Sequence, residues 1–217
     1  MKIICCTYRD WAKEIYKFLE YRFQEHNFIM INSKEELFYS DILDENPDLI
    51  LWYGWSWIIP EDILSKYYSV MLHPSPLPKY RGGSPIQNQM INGEKESAVT
   101  LFKMDEGIDT GDIISQQVFP LNGGISDIFQ YITSIGINLS VNMIENFSTL
   151  ELTPQDNFEA TYFKRRTPDQ SEITIEDLKN LKAEDLYNKI RALQDPYPNA
   201  FIKCKNGTKL YLTKTHI

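Results

Sequence analysis

The stretch Ser69-Val70-Met71-Leu72-His73-Pro74-Ser75-Pro76-Leu77-Pro78-Lys79-Tyr80-Arg81-Gly82-Gly83-Ser84-Pro85 decides how the rest of the chain is read. Ser69 to Leu72 has the length and apolar character of a buried strand, and it delivers His73 to its carboxyl end. Pro74, Pro76 and Pro78 stiffen the loop that follows, and Gly82-Gly83 lets backbone approach a ligand closely. Ser84-Pro85 then begins a helix over Ile86 to Ile91, because proline is tolerated in a first helical turn. Of the three histidines, His26 lies in a polar loop and His216 is penultimate. His73 is therefore the candidate imidazole for acid–base chemistry.

Working outward, Lys2 to Cys6 reads as a first buried strand, followed by a helix with Trp11, Ile15, Phe18, Leu19 and Phe23 on one apolar stripe. Phe28 to Ile31 is a second strand, and Ser33 caps a short helix carrying Leu37 and Phe38. Asp48 to Tyr53 is a nearly continuous apolar strand, and Pro60 starts a helix through Ile63 and Leu64. Beyond the opening stretch, Val99 to Phe102 and Ile113 to Val118 are strands flanking the acidic turn Asp105-Glu106-Gly107-Ile108-Asp109-Thr110-Gly111-Asp112, and Asp127 to Asn146 is a long helix. This alternation predicts an α/β fold, a doubly wound and mostly parallel sheet that binds ligands at the carboxyl ends of its strands. His73 and Asp109 would both lie at that edge.

The character changes near Glu151. The pattern predicts a core over residues 1–150 and a C-terminal extension over 151–217. The extension opens with the basic, turn-rich Phe163-Lys164-Arg165-Arg166-Thr167-Pro168. Two short helices follow, one with Leu186, Ile190 and Leu193 on a single stripe, ended by Tyr197-Pro198. Asn206-Gly207 then joins two terminal strands in a type I′ hairpin. The hairpin's Leu210 and Leu212 make an apolar surface that a second subunit could cover.

Composition removes several classes of function. Hydrophobic content of 42% and charged content of 24% are those of an ordinary globular chain. A net charge of -8 argues against nucleic-acid binding, which needs clustered Lys and Arg on phosphates. No apolar stretch approaches the ~20 residues of a membrane helix. Met1 to Thr7 is too short for a secretion signal. Cys5 and Cys6 are adjacent in a strand and Cys204 is remote, so reduced thiols in a cytoplasmic protein are expected.

Each candidate residue has a bland rival. Thr7-Tyr8-Arg9-Asp10-Trp11 fills the turn where a dinucleotide site would carry G-x-G-x-x-G. Without glycine, a pyrophosphate cannot approach the backbone there, so NAD is not expected. Arg9 stands beside a helix N-terminus and could hold an anion, or it could be a solvated arginine next to an Asp10 cap. His73 could be a satisfied structural histidine, but the rigid loop and a carboxylate such as Asp109 to orient the ring favour chemistry. Asp105, Glu106, Asp109 and Asp112 lie close together, yet with one histidine and no second cluster no metal is expected. Ser75 lacks the G-x-S-x-G of a serine hydrolase. Trp55-Ser56-Trp57-Ile58-Ile59-Pro60 follows a buried strand and either closes the core or lines a slot for a flat heterocycle.

The run from His73 through Gln87, followed by Val99-Thr-Leu-Phe-Lys-Met-Asp-Glu-Gly-Ile-Asp-Thr-Gly-Asp112, resembles the folate-dependent formyltransferases. Residues 48–118 carry this likeness most strongly. Phe163-Lys-Arg-Arg-Thr-Pro-Asp-Gln-Ser171 and Ile190-Arg-Ala-Leu-Gln-Asp-Pro-Tyr-Pro-Asn-Ala-Phe201 are similar to the formyltransferase domain that modifies UDP-aminoarabinose. Tyr8-Arg-Asp-Trp-Ala12 and Trp55-Ser-Trp-Ile-Ile-Pro60 look like small sugar N-formyltransferases of surface-polysaccharide pathways.

The resemblance implies a Rossmann-like formyltransferase core with His73 and Asp109 catalytic. The implied formyl donor is 10-formyltetrahydrofolate, with its pteridine near Trp55, Ser56, Trp57, Ile58 and Ile59 and the turn carrying Asp105, Gly107 and Ile108. The implied acceptor is the amine of a dTDP- or UDP-linked amino sugar, held by Arg9, Trp11, Arg81, Gly82, Gly83, Ser84, Pro85 and Asn88. One departure stands out: the family's usual Asn-x-His has Met71 at its first position, and methionine cannot donate a hydrogen bond to a developing oxyanion. The rival readings are a methionyl-tRNA formyltransferase, a glycinamide ribonucleotide formyltransferase, and a folate or sugar-nucleotide binding protein without turnover.

Overall fold

A computed structural model describes residues 1–37, 42 and 44–217. Six strands form the central sheet: β1 (Lys2–Cys6), β2 (Asn27–Ile31), β3 (Leu49–Tyr53), β4 (Ser69–His73), β6 (Glu96–Lys103) and β7 (Ile113–Pro120). Their order is β2-β1-β3-β4-β6-β7. The first four are parallel, β6 runs antiparallel to β4, and β7 antiparallel to β6. The fold is thus the doubly wound, mostly parallel arrangement with an antiparallel edge.

Side-chain alternation divides the core between the two faces of the sheet. Ile3, Cys5, Leu49, Leu51, Tyr53, Val70, Leu72, Val99 and Leu101 pack on one face beneath α1 (Asp10–Arg22) and α4 (Ile125–Glu145). Ile4, Cys6, Ile50 and Trp52 point the other way, onto a smaller cluster with Trp55, Ile59 and Ile63. Ile63 belongs to α2 (Glu61–Lys66), and Met71 joins this second face. Since side chains alternate, His73 follows Met71 onto that face.

The buried face of α1 is Ala12, Ile15, Tyr16 and Leu19. Phe18, expected on the stripe, is 41% exposed, because its azimuth turns it away from the sheet. Tyr16 takes the core position instead; its hydroxyl donates to the Leu51 carbonyl (2.9 Å) and accepts from the Tyr53 amide (2.8 Å). The residue at the start of α1 is Arg9, with Asp10 its first helical residue. Ser33 Oγ accepts from the Glu36 amide at 3.2 Å and Leu37 is buried, but residues 33–36 form turns, and Phe38 lies outside the described residues.

Residues beyond 150 interlace with the sheet. Thr153 bridges Ile113, and β8 (Tyr162–Phe163) pairs in parallel with β5 (Arg81–Gly82), the strand just after the proline loop. Next come α5 (Ile175–Asn180) and α6 (Ala183–Ala192); α6 packs against α3 (Pro85–Ile91) and contributes Leu186 and Ile190 to a third cluster. A hairpin of β9 (Ala200–Lys203) and β10 (Lys209–Leu212) follows. Its turn is not type I′, which needs positive φ at both central residues. Only Gly207 has it (φ 82°), and the bonds Gly207 N–H to Cys204 O and Cys204 N–H to Thr208 O describe a type I turn closed by a glycine bulge. Leu210 is 56% exposed while Leu212 packs on the third cluster. Among the described residues no helix is long and apolar enough to cross a membrane.

Candidate active site

His73 ends β4 and is 5% exposed. Its Nε2 lies 2.9 Å from the Tyr80 carbonyl oxygen. A carbonyl only accepts, so Nε2 carries a proton and donates it. Nδ1 faces Asp109 Oδ2 at 3.5 Å, and that oxygen also accepts the Gly82 amide at 2.7 Å. In the neutral ring Nδ1 is a bare lone pair, the one nitrogen free to take a proton; once protonated it has a carboxylate beside it.

Asp109 meets His73 at the carboxyl end of β4, but it comes from the carboxyl end of an antiparallel strand, β6, which lies at the opposite edge of the sheet. Because β6 is antiparallel, His73 pairs with Thr100 while Lys103 pairs with Val70, and the Met104 amide donates to Ser69 O. The acidic turn thus leaves the sheet at the amino end of β4 and runs back over the second face to reach His73. Asp105 shapes it, its Oδ1 accepting from the Gly107 amide (3.0 Å) and the Thr110 hydroxyl (2.6 Å). Tyr80 (φ 60°), Ser84 (φ 54°) and Asp109 (φ 55°) all adopt the left-handed conformation. Such backbone is costly outside glycine and persists where surrounding contacts over-determine it.

His73, Ser84 and Asp109 border a cavity of about 520 Å3, within the ordinary range for small-molecule sites. Along with His73 and Asp109, its lining takes in Arg9, Trp11, Gly82, Gly83, Ser84 and Pro85, and also Trp55 to Ile59, Asp105, Gly107 and Ile108. Trp55 is both lining and core: it is buried, meeting Trp52 edge-on at 5.7 Å and Trp57 at 4.8 Å. Trp57 leans on Tyr8 (4.9 Å), whose hydroxyl shares a hydrogen bond with Ser56. Ile58, by contrast, is 90% exposed at the mouth.

Two expected acceptor residues are not brought to the cavity. Arg81 is buried, and its guanidinium donates to Gln155 Oε1 (3.1 and 2.7 Å) and Asn157 Oδ1 (3.0 Å). Asn88 is buried on α3 and donates to the Gly83 carbonyl at 3.0 Å. Both hold the loop from within the protein, Arg81 turned there by the pairing of β5 with β8 and Asn88 by its bond back to Gly83.

In their place the lining includes Tyr162, Arg165, Arg166, Thr167 and Tyr197, none of which the sequence reading assigned. The Lys164-Arg165-Arg166 run in an acidic chain was the signal that could have found the arginines. Arg166 presents its amide to Ser84 Oγ (3.1 Å) and one Nη to Gln170 O (2.8 Å), while its buried Nε has no partner among the described residues. Burial lowers its pKa. Arg9 lies over the rings of Tyr8 (4.5 Å) and Tyr197 (5.6 Å). Burial pushes the Tyr197 hydroxyl up to about 12, against an opposing pull from Arg9, so it remains a donor at neutral pH. Among the described residues no group of three or more His, Cys, Asp and Glu side chains converges as a metal site would.

A Cβ at Gly82 would sit 2.4 Å from the Phe163 carbonyl oxygen, and its φ is 90°. Gly82→Ala is therefore expected to destabilise the fold by about 1–3 kcal/mol, read as a lowered urea midpoint at unchanged m-value. A midpoint equal to wild type would show that β5 and β8 are not held as described.

Residues 19–125 match the family described as formyl transferase. The methionyl-tRNA formyltransferase of Orientia tsutsugamushi (strain Boryong) is 39% identical over 163 residues, which are 73% of this chain and 52% of that protein. Among solved structures, methionyl-tRNA formyltransferase from Clostridium thermocellum superposes with a TM-score of 0.83 at 35% identity, covering 97% of this chain and 96% of that one. A 4-N formyltransferase from Francisella tularensis shares the fold, with a TM-score of 0.80 at 20% identity, covering 98% of this chain and 96% of that one. The chain belongs to the formyl transferase family. It spans about half the length of the curated relatives it matches.

Proposed function

We propose that this protein is an N-formyltransferase that moves the formyl group of 10-formyltetrahydrofolate to the amine of a dTDP- or UDP-linked amino sugar. A 4-amino-4,6-dideoxy hexose is the favoured sugar, and surface-polysaccharide synthesis the setting. The observation that carries the acceptor class is the set of guanidiniums on the cavity. Arg9, Arg165 and Arg166 border it beside Tyr162, Tyr197 and Trp11, and no described carboxylate lies within ion-pair distance of any of them. In a chain of net charge -8, unpaired cations around an aromatic-lined cavity suit a small anion bearing a flat base.

The residues present fit a reduced pterin. Trp55 and Trp57 offer ring faces and edges, Ile59, Leu64, Met71 and Met104 offer apolar surface, and the Asp105–Asp109 turn offers backbone polar groups. Bound 10-formyltetrahydrofolate would supply an activated formyl group. The chain's own task is to bring the acceptor amine to it, take the amine's proton and exclude water. His73 Nδ1 is the group for the proton, since Nε2 is held by Tyr80 O. The Asp109 carboxylate at 3.5 Å stabilises the resulting imidazolium. That imidazolium, and not the neutral ring, can then donate toward negative charge on the formyl oxygen and pass its proton to the departing folate nitrogen as the formyl carbon–nitrogen bond breaks.

Met71 borders the same cavity and offers no donor. Met71→Asn is expected to raise kcat by about tenfold, the value of one added neutral hydrogen bond to that oxygen. A fall in kcat with the fold intact would show that the oxygen does not sit against position 71.

The function is tested by offering 10-formyltetrahydrofolate with dTDP- and UDP-linked 4-amino sugars, methionyl-tRNA and glycinamide ribonucleotide, and measuring formylated product. Formylation of the nucleotide sugars is the expected result. Formylation of methionyl-tRNA alone would overturn the acceptor, and calorimetric binding without turnover of any acceptor would overturn the enzyme.

A further inference from the structure

We propose that Gln155, oriented by Arg81, is a positioning residue that sets the Asp109 carboxylate against His73; its catalytic consequence rests on the formyltransferase reading above. Gln155 Nε2 donates to the Asp109 carbonyl (3.0 Å) and to the Gly111 carbonyl (2.7 Å), the two backbone acceptors that flank Thr110. Its Oε1 accepts from Arg81 Nε (3.1 Å) and Nη2 (2.7 Å).

Arg81 has donors only, so the glutamine oxygen must face it and the amide nitrogen must face the turn. The arginine thereby fixes which way the amide points. Asn157 Oδ1 accepts a further bond from Nη2 at 3.0 Å, and no described carboxylate pairs with the guanidinium. Arg81 and its neighbour Gly82 thus grip one residue by two routes. The Gly82 amide takes the Asp109 side chain at 2.7 Å, and the Arg81–Gln155 relay takes the Asp109 backbone.

The need for such a grip is visible in the turn. Asp109 sits at φ 55°, a conformation that a single residue outside glycine leaves readily unless its neighbours hold it. The turn also has to span the sheet face from Ser69 to His73, so its far end owes its place to what receives it. Gln155 receives it. Freed of the glutamine, Asp109 can relax toward extended backbone, and its carboxylate loses its place at Nδ1.

The test uses Gln155→Ala and Gln155→Glu in the full chain. Glutamate keeps a partner for Arg81 and removes both donors to the turn, so it separates anchoring of Arg81 from positioning of Asp109. Long-range 15N NMR of the His73 ring, identified by its loss in His73→Gln, is recorded alongside the Asp109→Ala variant. Expected is that both Gln155 variants move the Nδ1 resonance in the direction that Asp109→Ala does. An unmoved Nδ1 resonance in folded Gln155→Ala overturns the proposal.

In the formylation assay both variants should lose about 100-fold in kcat, the scale of an ångström-sized misplacement, with KM for donor and acceptor little changed. A rise in KM at constant kcat also overturns it, because that is the signature of a binding defect. If the wild type formylates no acceptor, the proposed function falls while the NMR comparison still decides the role of Gln155.

Discussion

His73→Gln is expected to lower kcat for formylation of a nucleotide-linked amino sugar by about 10²–10⁴-fold, the ordinary contribution of one general acid–base group. The substitution is chosen because it spares what surrounds the ring. The histidine Nε2 donates to the Tyr80 carbonyl at 2.9 Å, and a glutamine amide can replace that donor. The Nδ1 lone pair facing Asp109 and the cavity has no counterpart in the amide. Substrate contacts from the tryptophan wall and the arginines remain, so KM should hold while kcat falls. Steady-state kinetics with both substrates varied makes the measurement, and a urea melt checks that the strand end still folds. A loss smaller than about tenfold would take His73 out of the proton transfer.

Much of this architecture can be read from the chain, for a physical reason. Strands buried on both faces are mostly apolar, so Lys2–Cys6, Leu49–Tyr53 and Ser69–His73 announce themselves, and the helices between them suit the parallel pairing found among them. Strand direction carries no such mark. Val99 to Phe102 looks the same whichever way it runs, and its antiparallel course is what sends the acidic turn across the sheet face to His73.

Side-chain type likewise announces chemistry without placement. Arg81 is a natural anion ligand by charge, yet pairing between two-residue strands far apart in sequence turns it toward Gln155. That same pairing carries Arg165 and Arg166 to the cavity, although they follow the point where the composition changes. The hairpin shows the limit at the smallest scale. Asn-Gly suits a type I′ turn, but the Cys204–Thr208 bonds select a type I turn with positive φ at glycine alone.

Asp109→Asn tests whether the imidazole and the carboxylate act as one unit. Asparagine keeps the size of the side chain, and its carbonyl oxygen can still accept the Gly82 amide, a bond of 2.7 Å in the wild type. What disappears is the negative charge beside Nδ1, because the oxygen that accepts the Gly82 amide is the same one that faces the ring, and a neutral amide oxygen there stabilises an imidazolium less than a carboxylate does. That charge acts on the step in which Nδ1 takes the proton, so kcat is expected to fall by about 10²–10⁴-fold. If the pair is a unit, His73→Gln combined with Asp109→Asn is no slower than the slower single variant, because removing one partner already removes what the other contributes. Losses that multiply would mean that each residue serves a separate step. In that case Asp109 would act on the acceptor directly, from its place on the same cavity wall, and the 3.5 Å approach of the two side chains would be incidental to the chemistry.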